Sequence, residues 1–140
     1  MKALLLFMVC LISAPSYSAT SKFDMSVACS EFENLNNYEQ GQCIGRQHEE
    51  IDEEMAKTYR HLMSKVDKQA KIKLRDAQRA WIKFRDTNCD FEGTGTLGGS
   101  AHSWVVTSCK SRVTVKRTEE LRAWLLCEQD EGNLSCPRFK

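Results

Sequence analysis

Apolar residues recur at helical spacing in three successive stretches of the chain. In the first, Ile44, Ile51, Met55, Tyr59, Leu62 and Val66 stand seven, four, four, three and four residues apart, which places them on one face of an α-helix. In the second, Ala70, Leu74, Ala77, Trp81, Phe84 and Asn88 alternate four and three apart. This heptad-like stripe lets a neighbour approach at its small residues, and Trp81 and Phe84 supply large apolar area to seat the helices. The third, from about Trp104 to Leu126, is less regular: Val105, Cys109, Val113, Leu121 and Leu125 mark its face, with Thr114 and Arg117 beside it. Asp67 falls between the first two stretches as a break. Gly93 to Ser103 separates the second from the third; it has four glycines and no charge, and Ser100 or Ser103 can cap the helix that follows. The asparagines and Gly41 between Cys29 and Cys43 argue against a long helix there and leave one or two turns near Glu31 to Leu35. Gly132, Asn133 and Pro137 make the tail, Glu128 to Lys140, non-helical. Three periodic segments with limited connections predict an all-α fold, a three-helix antiparallel bundle.

The first 18 residues have a different character. Lys2 precedes an apolar run from Ala3 to Ile12, and small and turn residues follow through Ala19. This is the pattern of a secretory signal peptide, with an apolar run too short to span a bilayer. Cleavage after Ser18 leaves small residues at both key positions, Ser16 and Ser18. The expected organisation is a leader over 1–18, an extended arm over 19–28, a helical domain over 29–127 and a tail over 128–140. Location in the periplasm or outside the cell follows, with no stable membrane insertion after cleavage.

Loss of the leader removes Cys10 and leaves six cysteines, an even number that in an exported chain reads as disulfides. Six cysteines allow about 15 connectivities. In an antiparallel bundle the end of the second helix meets the start of the third, which makes Cys89–Cys109 natural. The same locality pairs Cys29 with Cys43 and Cys127 with Cys136, the last pair tethering the tail. No C-x-x-C pair occurs and the three histidines are scattered, so no metal site is expected.

The formal net charge is +1, which argues against nucleic acid as a partner. The charge is nonetheless unevenly spread. Glu49, Glu50, Asp52, Glu53 and Glu54 make the start of the first helix acidic, whereas Lys71, Arg75, Arg79 and Lys83 form a basic row four residues apart. A solvated helix face accounts for both. The Gly-rich loop lacks a preceding strand and a G-K-[ST] ending, which excludes a nucleotide cradle, and no cofactor is expected. His48 and His61 share no helix face, and His102 sits in the loop, where it is the one candidate base. No set of acid and base groups converges, so the chain reads as a non-enzyme. Arg85-Asp86, at the end of the aromatic stripe, suits a guanidinium–carboxylate network that fixes helix packing.

The residues also resemble a known family. Leu74-x-x-x-Gln78-x-Ala80-Trp81-x-x-x-Arg85-Asp86-x-x-Cys89 is similar to the signature of the LprI-type lysozyme inhibitors, small exported bacterial proteins. The likeness extends upstream to Asp52-x-x-Met55-Ala56-x-x-Tyr59-x-x-Leu62, and downstream to Gly98-Gly99-Ser100, Cys109, Thr114, Arg117 and Leu121. Met55-Ala56 stands where the family usually has Leu-Asn, and Cys127 and Cys136 look like an added pair. The resemblance implies a helical exported domain with lysozyme as the partner; Tyr59, Trp81, Arg85, Asp86 and Arg117 of the matched residues, with Phe84 of the aromatic stripe, are expected to be structural. An inhibitor needs a rigid feature complementary to the enzyme's cleft, whose catalytic groups are carboxylates. The candidate is the loop, through Thr94, Thr96, Leu97, Gly98, Gly99, Ser100 and His102, because a clamp at its base cuts the ordering cost of binding. Glu49, Glu50 and Glu53 are a second candidate, able to steer a basic lysozyme by charge. The alternative is a cell-envelope adaptor whose basic row meets an anionic polymer or a partner protein.

Overall fold

The computed structural model describes residues 29–129 and 134–140; the leader and the arm lie outside them. Three α-helices carry the described chain: α1 (Asn37–Lys65), α2 (Lys68–Glu92) and α3 (His102–Leu126). Short 3-10 segments lie at Cys29–Asn34, Gly93–Thr96 and Cys127–Gln129. Cross-helix bonds give the directions. His48 meets Ser111, Asp52 meets Thr114 and Lys65 meets Glu128, so α1 and α3 run parallel. Cys89 joins Cys109 and Gln78 meets Arg117, so α2 runs antiparallel to α3. The fold is the expected three-helix bundle, with α1 packed most extensively on α3. All three disulfides pair by locality: Cys29–Cys43, Cys89–Cys109 and Cys127–Cys136.

The first helix starts earlier than its apolar period. Asn36 Oδ1 accepts the backbone N–H groups of Tyr38 and Glu39 at 3.0 and 3.1 Å, and Glu39 Oε2 accepts the Asn36 N–H at 3.0 Å. This capping box satisfies orphan donors at both of its ends. The helix is thereby set at Asn37, through the asparagine- and glycine-containing stretch expected to resist it. Asp67 is the break the sequence places there. It caps α2 by accepting the Ala70 N–H at 2.7 Å. That backbone donor, and after it the Arg138 guanidinium, holds the Asp67 carboxyl below its ordinary value. A depressed carboxylate contributes stability above its unfolded pKa and loses it as pH falls through the folded one. The cap is therefore at full strength at neutral pH.

The apolar core is small: Met55, Leu62, Val66, Leu74 and Leu121, with Tyr59, Trp81 and Trp124 packed against it. Polar residues fill much of the rest of the interior, including Gln78, Ser111, Thr114, Arg117 and Thr118. This displaces two expected faces. On α2 the inward line is Leu74, Gln78, Trp81, Arg85 and Cys89, whereas Phe84 is 57% exposed and Ala77 also faces solvent. Phe84 therefore does not seat the helices; Gln78 and Arg85 take the inward positions because their long polar side chains reach partners on other helices. On α3, Val105, Val113 and Leu125 are only half-buried, and Ser111, Thr114 and Thr118 are buried instead. Neither serine caps α3: Ala101 precedes the helix without a side-chain cap bond, and Ser103 lies inside it. No helix of the described residues is long and apolar enough to cross a membrane.

Candidate partner-binding end of the bundle

The family-like motif on α2 is the bundle's inward seam, and its polar members join all three helices. Arg85 Nη1 donates to Asp52 of α1 at 3.2 Å and lies 3.5 Å from Thr114 Oγ1 of α3, while its Nε donates to Asp86 at 3.1 Å. Thr114 donates to Asp52 at 3.2 Å, and Lys110 stands 3.5 Å from Asp86. Two turns away, Arg117 Nε donates to Gln78 at 3.1 Å and its Nη1 to Glu120 at 2.9 Å. The same guanidinium lies over the rings of Trp124 and Trp81, 5.0 and 5.9 Å from their centroids. Tyr59 and Trp81 pack against the core and Arg85, Asp86 and Arg117 lie in this seam, whereas Phe84 is exposed outside it. The seam's polar groups are committed to one another and join the three helices.

One end is built for exposure. There α2 stops, α3 and α1 start, and the Gly-rich segment crosses between α2 and α3. Cys89–Cys109 ties the helices beneath it, and Arg112 Nη2 donates to both oxygens of Glu92 at 2.6 and 2.8 Å. Gly93 is buried, and a Cβ on it would come within 2.5 Å of a Val106 methyl, so a side chain here forces its neighbours to shift. Above that base the segment is ordered by its own bonds. Thr96 Oγ1 donates to the Gly93 carbonyl at 2.8 Å, and His102 Nδ1 lies 3.1 Å from both that carbonyl and Thr96 Oγ1. His102 is thus a fastener through its Nδ1. The Gly99 N–H donates to Thr96 and the His102 N–H to Gly99. Gly98 turns the chain at φ +76°, a conformation that suits glycine.

Thr94, Leu97, Gly98, Gly99 and Ser100 are exposed at the tip, with Leu97 at 68%; Thr96 and His102 are half-buried in its base. Two exposed aromatics share this end and escape the periodicity argument: Tyr38 in the first turn of α1, 75% exposed, and Phe91 in the last turn of α2, at 77%. The signal for Tyr38 was the Asn36-x-x-Glu39 box, which marks a helix start. Between the first turns of α1 and α3 lies a cleft of about 550 Å³, lined by Tyr38, Gln42, Ser100, Ser103 and Trp104 among others, none of them charged. Glu49, Glu50 and Glu53 lie on the exposed face of α1 and take no part in the loop; Glu53 pairs with Lys57 at 3.2 Å. The structure therefore gathers the loop candidates into one feature and keeps the acidic candidates apart from it.

Among the described residues no group of three or more His, Cys, Asp or Glu side chains is placed to hold a metal. The chain is 36% identical over 93 residues to an uncharacterised protein of Rhizobium meliloti (strain 1021), an alignment covering 57% of this chain and 67% of that one. No solved structure matches it. The family model described as lysozyme inhibitor LprI matches residues 29–121. That span runs from the first cysteine of the bundle to the last buried leucine of α3, and it takes in the polar seam, the clamp and the loop. The chain belongs to the LprI lysozyme-inhibitor family.

Proposed function

We propose that the protein is an exported inhibitor of lysozyme-like muramidases, without catalysis of its own, and that it binds through the loop end of the bundle. The observation that carries this reading is the contrast between the loop's tip and its base. Leu97 and its neighbours stand in solvent, while Cys89–Cys109, the Glu92–Arg112 pair and the Gly93–Thr96–His102 bonds hold the segment at its root. A preformed protrusion loses little freedom on entering a cleft, so more of its contact energy appears as affinity. Tyr38 and Phe91 flank it with the kind of rigid aromatic surface that anchors interfaces. Glu49 and Glu50, exposed and without ion-pair partners among the described residues, would speed the approach of a basic enzyme.

A lysis assay with purified, oxidised protein tests the reading. The wild type is expected to slow a muramidase at near-stoichiometric amounts. Leu97→Asp, an exposed change that leaves the fold alone, is expected to weaken inhibition at least about tenfold, the effect of losing one interface anchor. Unchanged inhibition by Leu97→Asp removes the loop from the interface. One observation favours a second reading, an envelope adaptor: among the described residues Lys71, Arg75, Arg79 and Lys83 enter no ion pair. If the protein associates with cell-wall fractions, and Arg75→Glu with Arg79→Glu abolishes that association while Leu97→Asp does not, the basic row is the contact surface.

A further inference from the structure

The opposite end of the bundle carries a cleft that the family core does not build by itself. There the tail folds back on the α1–α2 junction. Asp67 N–H donates to the Arg138 carbonyl at 2.9 Å, Lys140 N–H donates to the Lys65 carbonyl at 3.1 Å, and Val66 and Phe139 form an antiparallel bridge. Cys127–Cys136 and the Arg138–Asp67 ion pair at 2.8 Å fasten the same strap. Between strap and helices lies a cleft of about 510 Å³, within the range of small-molecule sites. Its floor and one wall are Leu62, Val66, Ala70, Leu74 and Ala77; the other wall is Trp124 and Pro137. Trp124, Cys136, Pro137 and Arg138 all lie beyond the family-matched residues 29–121. This chain thus adds a stapled segment whose position completes a cavity.

The lining says what fits. The walls are mostly hydrocarbon and indole, and the polar side chains among the lining are Asp67, Gln69, Lys73 and Arg138. The Asp67 carboxylate is already committed to the Ala70 N–H and to Arg138. Burying unpaired polar groups there would be costly, whereas an alkyl chain needs no partner. The polar groups at the rim include Lys73, which enters no ion pair among the described residues and whose apolar stem can lie along the wall with its ammonium in water. An uncompensated cation beside a hydrocarbon slot calls for an apolar chain with an anionic end. We propose that this cleft binds a long-chain fatty acid, its chain between Leu74, Ala77, Trp124 and Pro137 and its carboxylate on Lys73. This is independent of the muramidase reading, which uses the other end of the molecule.

Calorimetric titration of the oxidised full-length chain with palmitate, kept below its micelle concentration, tests the proposal. Saturable binding of one palmitate per chain is expected. Ala77→Phe, which fills the slot from an exposed helix position, is expected to weaken binding at least tenfold. Lys73→Ala is expected to erase the preference of palmitate over hexadecanol while leaving hexadecanol binding in place. Circular dichroism confirms that both variants are folded. Absence of saturable binding overturns the proposal, as does binding indifferent to Ala77→Phe. It fails equally if the chain binds only anionic phospholipid vesicles, which marks a surface contact, or if Ala77→Phe changes only the mass of a self-associated species, which makes the occupant a second copy.

Discussion

Replacing both Cys89 and Cys109 by alanine is expected to lower the unfolding free energy by about 3 kcal/mol, the usual effect of opening a disulfide loop of this size. The two cysteines are 20 residues apart and both are buried, so the bridge restrains the unfolded chain and sits inside the folded one. Alanine avoids placing a new hydroxyl in an apolar site. Chemical denaturation of the oxidised variant against the wild type measures the loss, and an unchanged midpoint would show the bridge to be dispensable. The same variant bears on function. Without the clamp, the loop keeps its short internal bonds and the Glu92–Arg112 pair but loses the covalent tie beneath them. Inhibition is expected to fall by more than a tenfold factor even where the variant is fully folded, because the ordering cost returns to the binding step.

Arg117→Ala is expected to cost on the order of 3 kcal/mol, from three losses that fall together. The guanidinium is only 6% exposed and lies over two indole rings; each such contact, partly desolvated, contributes about 1 kcal/mol. Its removal leaves the buried Gln78 carbonyl without its donor, a penalty of roughly 1–3 kcal/mol. A cavity opens between Trp81 and Trp124, which the surrounding side chains refill only in part. Glu120, the ion-pair partner, is more than half exposed and is not stranded, so the pair itself adds little. Two companions separate these causes. Arg117→Lys keeps the charge but cannot lie flat between the rings, and is expected to recover little. Arg117→Met keeps the volume and is expected to recover more. Thermal and urea unfolding of the three variants gives the order Met above Lys, with Ala lowest. If Lys matches the wild type, charge and not stacking holds this seam.

The legible part of the fold was the part carried by apolar spacing and by local closure. Leu62, Val66 and Leu74 fall in the core as the helical period requires, Asp67 breaks the chain, and each cysteine pairs with its neighbour in the topology. What misled was the assumption that a helix buries its most apolar stripe. On α2 the buried line takes Gln78 and Arg85 and leaves Ala77 and Phe84 outside, because distant acceptors on α1 and α3 compensate the polar groups. Such partners sit 29 to 39 residues away in sequence and leave no periodic trace. The early start of α1 was hidden for the opposite reason: asparagine favours turns and helix caps alike, and only the paired Glu39 tells which. In the loop, Gly93 lies close against Val106, and Thr96 with His102 ties the segment down, contacts that composition does not reveal. Tyr38 and Phe91 matter through the end of the bundle they share, which becomes visible only once the helix directions are known.

The central claim is that the loop end occupies a muramidase's saccharide cleft. Calorimetric titration of a lysozyme with the oxidised protein, repeated with the enzyme's cleft filled by a chito-oligosaccharide, tests it most directly. Saturable binding at one inhibitor per enzyme is expected, with loss of that binding when the saccharide is present in excess. Absence of binding, or binding of equal strength with the cleft filled, would contradict it.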